Sequence, residues 1–306
     1  MLKKIFISLV ILIFLLGILE AYSFLLTHKE NEEFKLIAKR INKTASDYKT
    51  EYKLLKPFQN NIYRNSTIIE NATKQPILWF GCSFAEGCGL DDNLTPCYKI
   101  SKLTKRSCIN KAKGTTGTQF MYYQLKQNDL KEKYPEVDYI IYIFIWDHLQ
   151  RLYNYQVNPL IYMHNLRYKI TKNGLKEINP QFNPLYSSFL VKRILNREIK
   201  LAGKKERQNF KLFNEIMKES ALIAKEKYPN SKFIMIEFPE VSYTELPNNE
   251  IKELETYGIT VLRVKDFIPT HEDIQDKKYW LEDEMHPSSN FWDLFLTKIV
   301  EQHINE

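Results

Sequence analysis

The chain has 306 residues, of which 44% are hydrophobic and 26% are charged, with 9 Gly and 12 Pro. This composition excludes a disordered or collagen-like chain and allows a large buried core. The formal net charge is +7, but the 44 Lys and Arg residues are spread along the chain rather than gathered in one run. We therefore expect no nucleic-acid partner.

The first segment, residues 1–28, predicts a membrane anchor. Lys3 and Lys4 precede an almost wholly apolar run over residues 5–19, and a further apolar stretch follows Glu20. The best cleavage site, after Ala21, has Leu19 instead of a small residue at the third position back, so an uncleaved signal anchor is favoured over a cleaved signal peptide. The paired lysines predict that the body of the protein is extracytoplasmic, on the periplasmic or cell-surface side.

A second segment, residues 29–56, has the pattern of an amphipathic helix. Its apolar residues recur every three or four positions: Phe34, Ile37, Ile41, Ala45, Tyr48, Tyr52 and Leu55. This spacing predicts a stalk helix that follows the anchor. Pro57 and the polar stretch after it then mark the start of a domain over residues 57–306.

Within that domain, short apolar runs alternate with helical patterns. Five strands are predicted, over Ile77–Phe80, Cys108–Asn110, Tyr139–Ile145, Lys232–Phe238 and Ile259–Leu262. The alternation predicts a three-layer α/β/α domain around a mostly parallel five-stranded sheet. Ligands of such sheets bind at the carboxyl ends of the strands.

Three helices have recognisable limits in the sequence. Thr95 and Pro96 resemble the N-cap and first position of one helix, and a second is expected from Gln119 to about Glu132. The last helix carries Asn290 and Asp293 in an arrangement that resembles a capping box.

An insertion over about residues 152–201 follows the third strand and is rich in tyrosine, including Tyr153, Tyr155, Tyr162 and Tyr168. It is expected to overhang the carboxyl end of the sheet. Its rings could contact a sugar, pack on the domain or lie at the membrane surface.

All four cysteines, Cys82, Cys88, Cys97 and Cys108, fall in one short stretch. Their spacing matches no zinc motif, so no metal site is expected. One or two disulfides are compatible with an oxidising compartment, and buried structural cysteines are an equal alternative. The sequence does not rank the possible pairings.

Two motifs carry residues suited to nucleophilic catalysis. Ser83 follows the first strand directly within Gly81-Cys82-Ser83-Phe84, where a nucleophile would be exposed. Near the other end of the domain, Asp283 stands three residues before His286 in a polar loop. A histidine that acts as general base needs a partner that holds one tautomer, and a nearby carboxylate supplies it.

These two motifs resemble the first and last sequence blocks of the SGNH (GDSL-like) hydrolases, in a GCSF-type variant. The resemblance implies a flavodoxin-like three-layer fold, Ser83 as nucleophile, His286 as base, Asp283 as the residue that orients it, and no cofactor. It also implies an oxyanion donor in the loop after the second strand, where Gly114 is preferred over Gly117.

The third block of the family diverges in this sequence. Its amide side chain is missing, and the corresponding position reads Trp146-Asp147-His148-Leu149-Gln150-Arg151. An ionised Asp147 cannot donate to an oxyanion, so His148, Arg151 or backbone N–H groups would have to serve. A salt-bridged loop that fixes the strand end is an equal alternative for these residues.

The resemblance and the expected location together imply a membrane-anchored serine esterase or acyltransferase that acts on O-acyl groups, expected to be O-acetyl, of cell-surface glycans. An acylated glycan or another ester would be the substrate, and the N-terminal helix would contact the membrane. One alternative is a lipid-ester hydrolase, because an anchor keeps the domain near a bilayer. Another is an inactive glycan-binding or assembly protein on the same scaffold, suggested by the missing amide.

Overall fold

The computed structural model describes residues 17–19, 21, 66–70, 72–114, 116–152, 166–178, 206–238, 245–268, 276–281 and 286–304. From Ser66 onward, the described residues other than Glu206 belong to one compact unit. The predicted stalk lies outside the described residues, as does the predicted anchor except at 17–19 and 21. Within the described part of the chain, no helix is both long enough and apolar enough to cross a bilayer.

The unit is built on a five-stranded sheet of β1 (Ile77–Phe80), β2 (Cys108–Asn110), β3 (Tyr139–Ile145), β6 (Lys232–Phe238) and β7 (Ile259–Arg263). The strands are parallel and lie in the order β2-β1-β3-β6-β7. Every residue of β1, β2 and β3 is buried, as expected for strands covered on both faces. The predicted mostly parallel sheet is therefore confirmed.

The remaining regular elements follow in chain order. Helices α1 to α5 are Ser83–Glu86, Pro96–Thr104, Thr118–Lys126, Asp129–Lys133 and Asp147–Arg151. A hairpin of β4 (Tyr168–Thr171) and β5 (Gly174–Glu177) comes next. Helices α6 to α9 are Glu206–Lys227, Asn248–Thr256, Val264–Phe267 and Ser289–Ile299, and a single π-helical turn, Val300–Ile304, continues α9.

Alternate strand residues point to opposite faces of the sheet, and each face is covered by helices. One face packs on α2 and α9 through Cys97, Ile100, Phe291, Trp292, Phe295, Leu296 and Ile299. The opposite face packs on α3, α6 and α7 through Met121, Tyr122, Leu125, Phe213, Ile216, Met217 and Leu254. These are the three layers that the alternation of strands and helices predicts.

Two helix limits differ from the sequence-based expectation. The residue that caps α9 is Ser288, whose Oγ accepts a hydrogen bond from the Phe291 N–H, so the expected capping role of Asn290 is wrong. The helix expected from Gln119 to about Glu132 is two helices, α3 and α4, which are separated at Gln127 and Asn128. The insertion contributes the hairpin β4–β5, which packs on α3 through an edge-to-face contact of Tyr168 with Tyr122.

A disulfide joins Cys97 on α2 to Cys108 on β2. Cys82 and Cys88 are thiols, the first buried and the second half-buried. One of the possible pairings is thus present, and it ties a helix of the outer layer to an edge strand.

Candidate active site

Ser83 lies at the carboxyl end of β1 because the chain turns sharply at Gly81. The φ angle of Gly81 is +150°, which side chains rarely allow. A Cβ there would lie 2.5 Å from the Cβ of Ala85 and 3.1 Å from the carbonyl oxygen of Ile143. Only glycine fits, and it lets the short helix α1 begin immediately with Ser83 half-exposed.

His286 approaches from the other end of the domain. Its Nε2 lies 3.0 Å from the Oγ of Ser83, although 203 residues separate the two in the chain. The backbone on either side of His286 pairs with the segment before it. Leu281 donates its N–H to the His286 carbonyl at 2.9 Å, and Ser288 donates to the Tyr279 carbonyl at 2.8 Å.

An aromatic ring packs against His286. The ring of Phe84 lies 5.3 Å from the imidazole and 5.2 Å from the ring of Phe238, which in turn contacts Trp280 edge-to-face. Phe84 thus sets an apolar ring beside the Ser83–His286 pair, and the buried Phe238 supports Phe84 from within the core. Asp283, the residue expected to orient His286, lies outside the described residues.

The loop after β2 runs beside the nucleophile turn. Lys113 donates its N–H to the Gly81 carbonyl at 3.1 Å, which places Gly114 next to Ser83. A Cβ on Gly114 would lie 3.8 Å from the Cβ of Ser83. The N–H of Gly114 donates to the carboxylate of Glu86 at 2.7 Å.

The second candidate glycine of this loop has different neighbours. Gly117 precedes α3, and a Cβ there would lie 3.0 Å from Oε1 of Gln119 and 3.7 Å from the ring of His148. Gly117 therefore lies next to Gln119 and His148, whereas Gly114 lies next to Ser83.

Asp147 and Arg151 form a salt bridge across one turn of α5. The carboxylate of Asp147 accepts from Nε of Arg151 at 2.6 Å and lies 2.5 Å from Nη2. The guanidinium also donates to the Thr116 carbonyl. It lies beside the thiol of Cys82. Burial raises the pKa of this thiol, and the positive charge of Arg151 acts to lower it. The pair therefore ties together the ends of β1, β3 and the loop before α3, which favours the salt-bridged alternative.

His148 is fully buried behind this cluster. Its Nδ1 lies 2.6 Å from the hydroxyl of Tyr142, which is also 2.8 Å from the hydroxyl of Thr118. Burial lowers the pKa of His148 well below its ordinary value, so the ring is neutral at pH 7. This arrangement favours a structural role for His148 over direct contact with a substrate.

Glu86 was missed by the sequence analysis. It stands three residues after Ser83 on the same short helix, so the two side chains share a face. A position three residues after a candidate nucleophile shares its face if the segment is helical, and this spacing could have pointed to Glu86. The helix has only four residues, however, so no periodic pattern in the sequence indicates that the segment is helical.

The site can support nucleophilic chemistry at an ester. A serine hydroxyl within hydrogen-bond reach of an imidazole nitrogen is the arrangement that activates serine as a nucleophile. Across the described residues, no cluster of three or more histidine, cysteine, aspartate or glutamate side chains is placed to hold a metal ion.

Comparison with known proteins gives matches to solved structures only. No family model matches the chain, and no curated protein matches it. One similar structure is assigned to the G-D-S-L family of lipolytic proteins, from Desulfitobacterium hafniense DCB-2. It has 12% identity and a TM-score of 0.43 over 75% of this chain and 99% of that one.

Two further structures are similar to the same extent. A GDSL-like lipase from Parabacteroides merdae ATCC 43184 has 12% identity and a TM-score of 0.43, over 75% of this chain and 97% of its own. An acetyl xylan esterase from the rumen bacterium Butyrivibrio proteoclasticus has 10% identity and a TM-score of 0.45, over 76% of this chain and 64% of its own. These TM-scores are below 0.5, so the functional proposal rests on contacts within this chain.

Proposed function

We propose that the protein is a serine hydrolase of SGNH type that cleaves or transfers a small acyl group through Ser83 and His286. The observation that carries the proposal is the 3.0 Å contact between Ser83 Oγ and His286 Nε2 at the carboxyl edge of a parallel sheet. Residues this far apart in the chain meet at a site where such folds bind ligands.

In the proposed reaction, Ser83 Oγ attacks the ester carbonyl and His286 Nε2 takes the hydroxyl proton. The imidazolium then gives this proton to the departing alcohol, and an acyl-enzyme remains. Water or a second hydroxyl attacks the acyl-enzyme with His286 again as base, which regenerates Ser83. The N–H groups of Ser83 and Gly114 are the proposed oxyanion donors, and Asp283 is proposed to orient His286.

The proposed substrates are O-acetyl groups of cell-surface glycans, met by an extracytoplasmic enzyme that is anchored through its N-terminal segment. The half-buried ring of Phe84 beside His286 supports a sugar substrate, because a flat ring packs well against the apolar face of a pyranose. A lipid ester would need a long apolar groove beside Ser83.

A fluorophosphonate probe tests the catalytic proposal. We expect labelling of the full chain that disappears in Ser83→Ala and falls by about a thousandfold or more in His286→Ala, because the residues of such a pair act as a unit. Ser289→Ala, at the start of α9, is the matched control and should label like the native protein. A folded protein whose labelling survives Ser83→Ala would contradict the proposal.

Hydrolysis of acyl esters of increasing chain length then separates the substrate classes. We expect p-nitrophenyl acetate and acetylated xylo-oligosaccharide to be better substrates than p-nitrophenyl palmitate. The reverse order would favour the lipid-ester alternative. No turnover and no labelling of folded protein would favour the binding or assembly alternative.

A further inference from the structure

The N–H group proposed to hold the oxyanion already binds a negatively charged oxygen of this chain. Oε2 of Glu86 accepts from the Gly114 N–H at 2.7 Å, the short distance typical of a charge-assisted hydrogen bond. A backbone N–H that accommodates a carboxylate oxygen at this distance can accommodate the oxyanion of a tetrahedral intermediate.

The position of this contact relative to the nucleophile is fixed by the short helix α1. Ser83 is its first residue and Glu86 its last. Gly114 lies against both: its missing Cβ would be 3.8 Å from the Cβ of Ser83 and 3.2 Å from Oε2 of Glu86. Ser83 and Glu86 are one helical turn apart, and Gly114 lies next to both of them.

We propose that Glu86 is an internal oxyanion mimic that holds the active site in a self-inhibited resting state. This proposal rests on the proposed function. While the carboxylate occupies the Gly114 N–H, an incoming ester carbonyl cannot use that donor. A carboxylate that stays nearby also repels the charge that develops on the substrate oxygen. Turnover therefore requires Glu86 to swing away when an acyl substrate binds.

Glu86 is in this view a gating residue and takes no part in bond making. The contact between Ser83 Oγ and His286 Nε2 does not include Glu86. Loss of its carboxylate therefore raises the rate, because the donor is available to every arriving substrate. A purely structural anchor for the loop would have the opposite effect, since its loss would disorder Gly114.

The test compares Glu86→Ala and Glu86→Gln with the native chain in hydrolysis of p-nitrophenyl acetate. We expect kcat/KM to rise about tenfold in Glu86→Ala, the factor that corresponds to one modest hydrogen bond. Glu86→Gln should rise less, because its amide oxygen can still accept from Gly114 but carries no net charge. Asp91→Asn, which removes an exposed carboxylate after the same helix, is the control and should leave kcat/KM unchanged.

A second measurement does not depend on turnover. Phenylboronic acid forms a tetrahedral anion on an active serine, and its affinity reports on the oxyanion donors directly. We expect Glu86→Ala to bind it about tenfold more tightly than the native chain. Melting curves of each variant confirm that the compared proteins are folded.

The outcomes test the gating role of Glu86 separately from the proposed hydrolase activity. One outcome is that folded Glu86→Ala is labelled by the fluorophosphonate probe while its kcat/KM and boronate affinity equal or fall below the native values. In that case the gating role of Glu86 is wrong and the proposed hydrolase activity is retained. If neither the native chain nor the folded Glu86 variants are labelled, the proposed function itself fails. Labelling of the native chain, together with a higher kcat/KM and tighter boronate binding in folded Glu86→Ala, supports both.

Discussion

Glu237 lies almost wholly inside the domain, with 4% of its side chain exposed near the carboxyl end of β6. Its Oε1 accepts a hydrogen bond from the Leu246 N–H, and among the described residues Oε2 has no hydrogen-bond partner. The charged groups that line the adjoining cleft are Glu245, Arg263 and Lys265. Burial raises the pKa of Glu237 to about 7, because an uncompensated carboxylate is costly away from water.

This carboxyl should make stability fall as the pH rises. The folded state holds a proton on Glu237 that the unfolded state releases near pH 4.5, so its contribution is complete below about pH 4.5 and is lost through about pH 7. We expect Glu237→Gln to match the native free energy of unfolding at pH 4 and to exceed it at pH 8 by up to about 3 kcal/mol. Urea unfolding at both pH values measures the difference.

Glu255→Gln provides the control for this measurement. Glu255 is exposed on α7 and is not one of the described charged residues that shift the pKa of Glu237. Its replacement should leave the pH dependence of the native chain in place. A Glu237→Gln protein that kept the native pH dependence would show that Glu237 is ionised in the folded state.

At the scale of elements, the break between α3 and α4 has a tertiary cause. Nζ of Lys227, the last residue of α6, lies within hydrogen-bond distance of three consecutive carbonyls and one side chain at the end of α3, and shares its three N–H donors among them. These acceptors are Leu125 at 2.9 Å, Lys126 at 3.0 Å, Gln127 at 2.7 Å and Asn128 Oδ1 at 3.1 Å. An ammonium group thus satisfies the carbonyls that a helix leaves open at its C-terminus.

Replacement of Lys227 by methionine should therefore destabilise the domain. Methionine retains much of the apolar stem but leaves these carbonyls without their charged donor, and we expect a loss of about 2 kcal/mol in the free energy of unfolding. Lys225→Met, at an exposed position of the same helix, should change stability by less than about 0.5 kcal/mol. Equal losses in the two variants would contradict the capping role of Lys227.

The sequence predicted elements best where the signal lies within one segment. The strands β1 and β3 are continuous apolar runs, and β6 is apolar except at Lys232 and Glu237. The start of α2 carries its own cap, since Thr95 Oγ1 accepts from the Tyr98 N–H. The split of α3 from α4 depends on Lys227, about a hundred residues away, so no local pattern announces it. Ser288 outcompetes Asn290 as cap because Ser288 is also fixed by its own hydrogen bond to the Lys278 carbonyl.

For the candidate site, too, the sequence predicted the residues that stand in a local motif and missed those that depend on distant contacts. Ser83 and His286 stand in recognisable motifs, and the structure places them in contact. The roles of Asp147 and Arg151 were left open by the sequence, because only the fold brings the Thr116 carbonyl and Cys82 to the guanidinium. Glu86 was missed because its partner, the Gly114 N–H, belongs to a different loop.

At the scale of the whole molecule, the disulfide between Cys97 and Cys108 should contribute to global stability. The bridge closes a short loop with a sequence separation of 11 between an outer helix and an edge strand. We expect the Cys97→Ala/Cys108→Ala double variant to lose about 2 to 4 kcal/mol in the free energy of unfolding. The native chain in reductant should show a similar loss, and the double variant should be insensitive to it.

Alkylation of the denatured chain checks the pairing itself. Of the four cysteines, two should react before reduction and all four afterwards. Protection of Cys82 or Cys88 in the unreduced chain would show a different pairing.

The contact between Ser83 and His286 also determines when the site can form during synthesis of the chain. The imidazole is synthesised 203 positions after the serine. A ribosome-bound chain that stops between the two therefore carries the proposed nucleophile without His286. The proposed esterase activity cannot arise before His286 has been added and the sheet has brought it to Ser83.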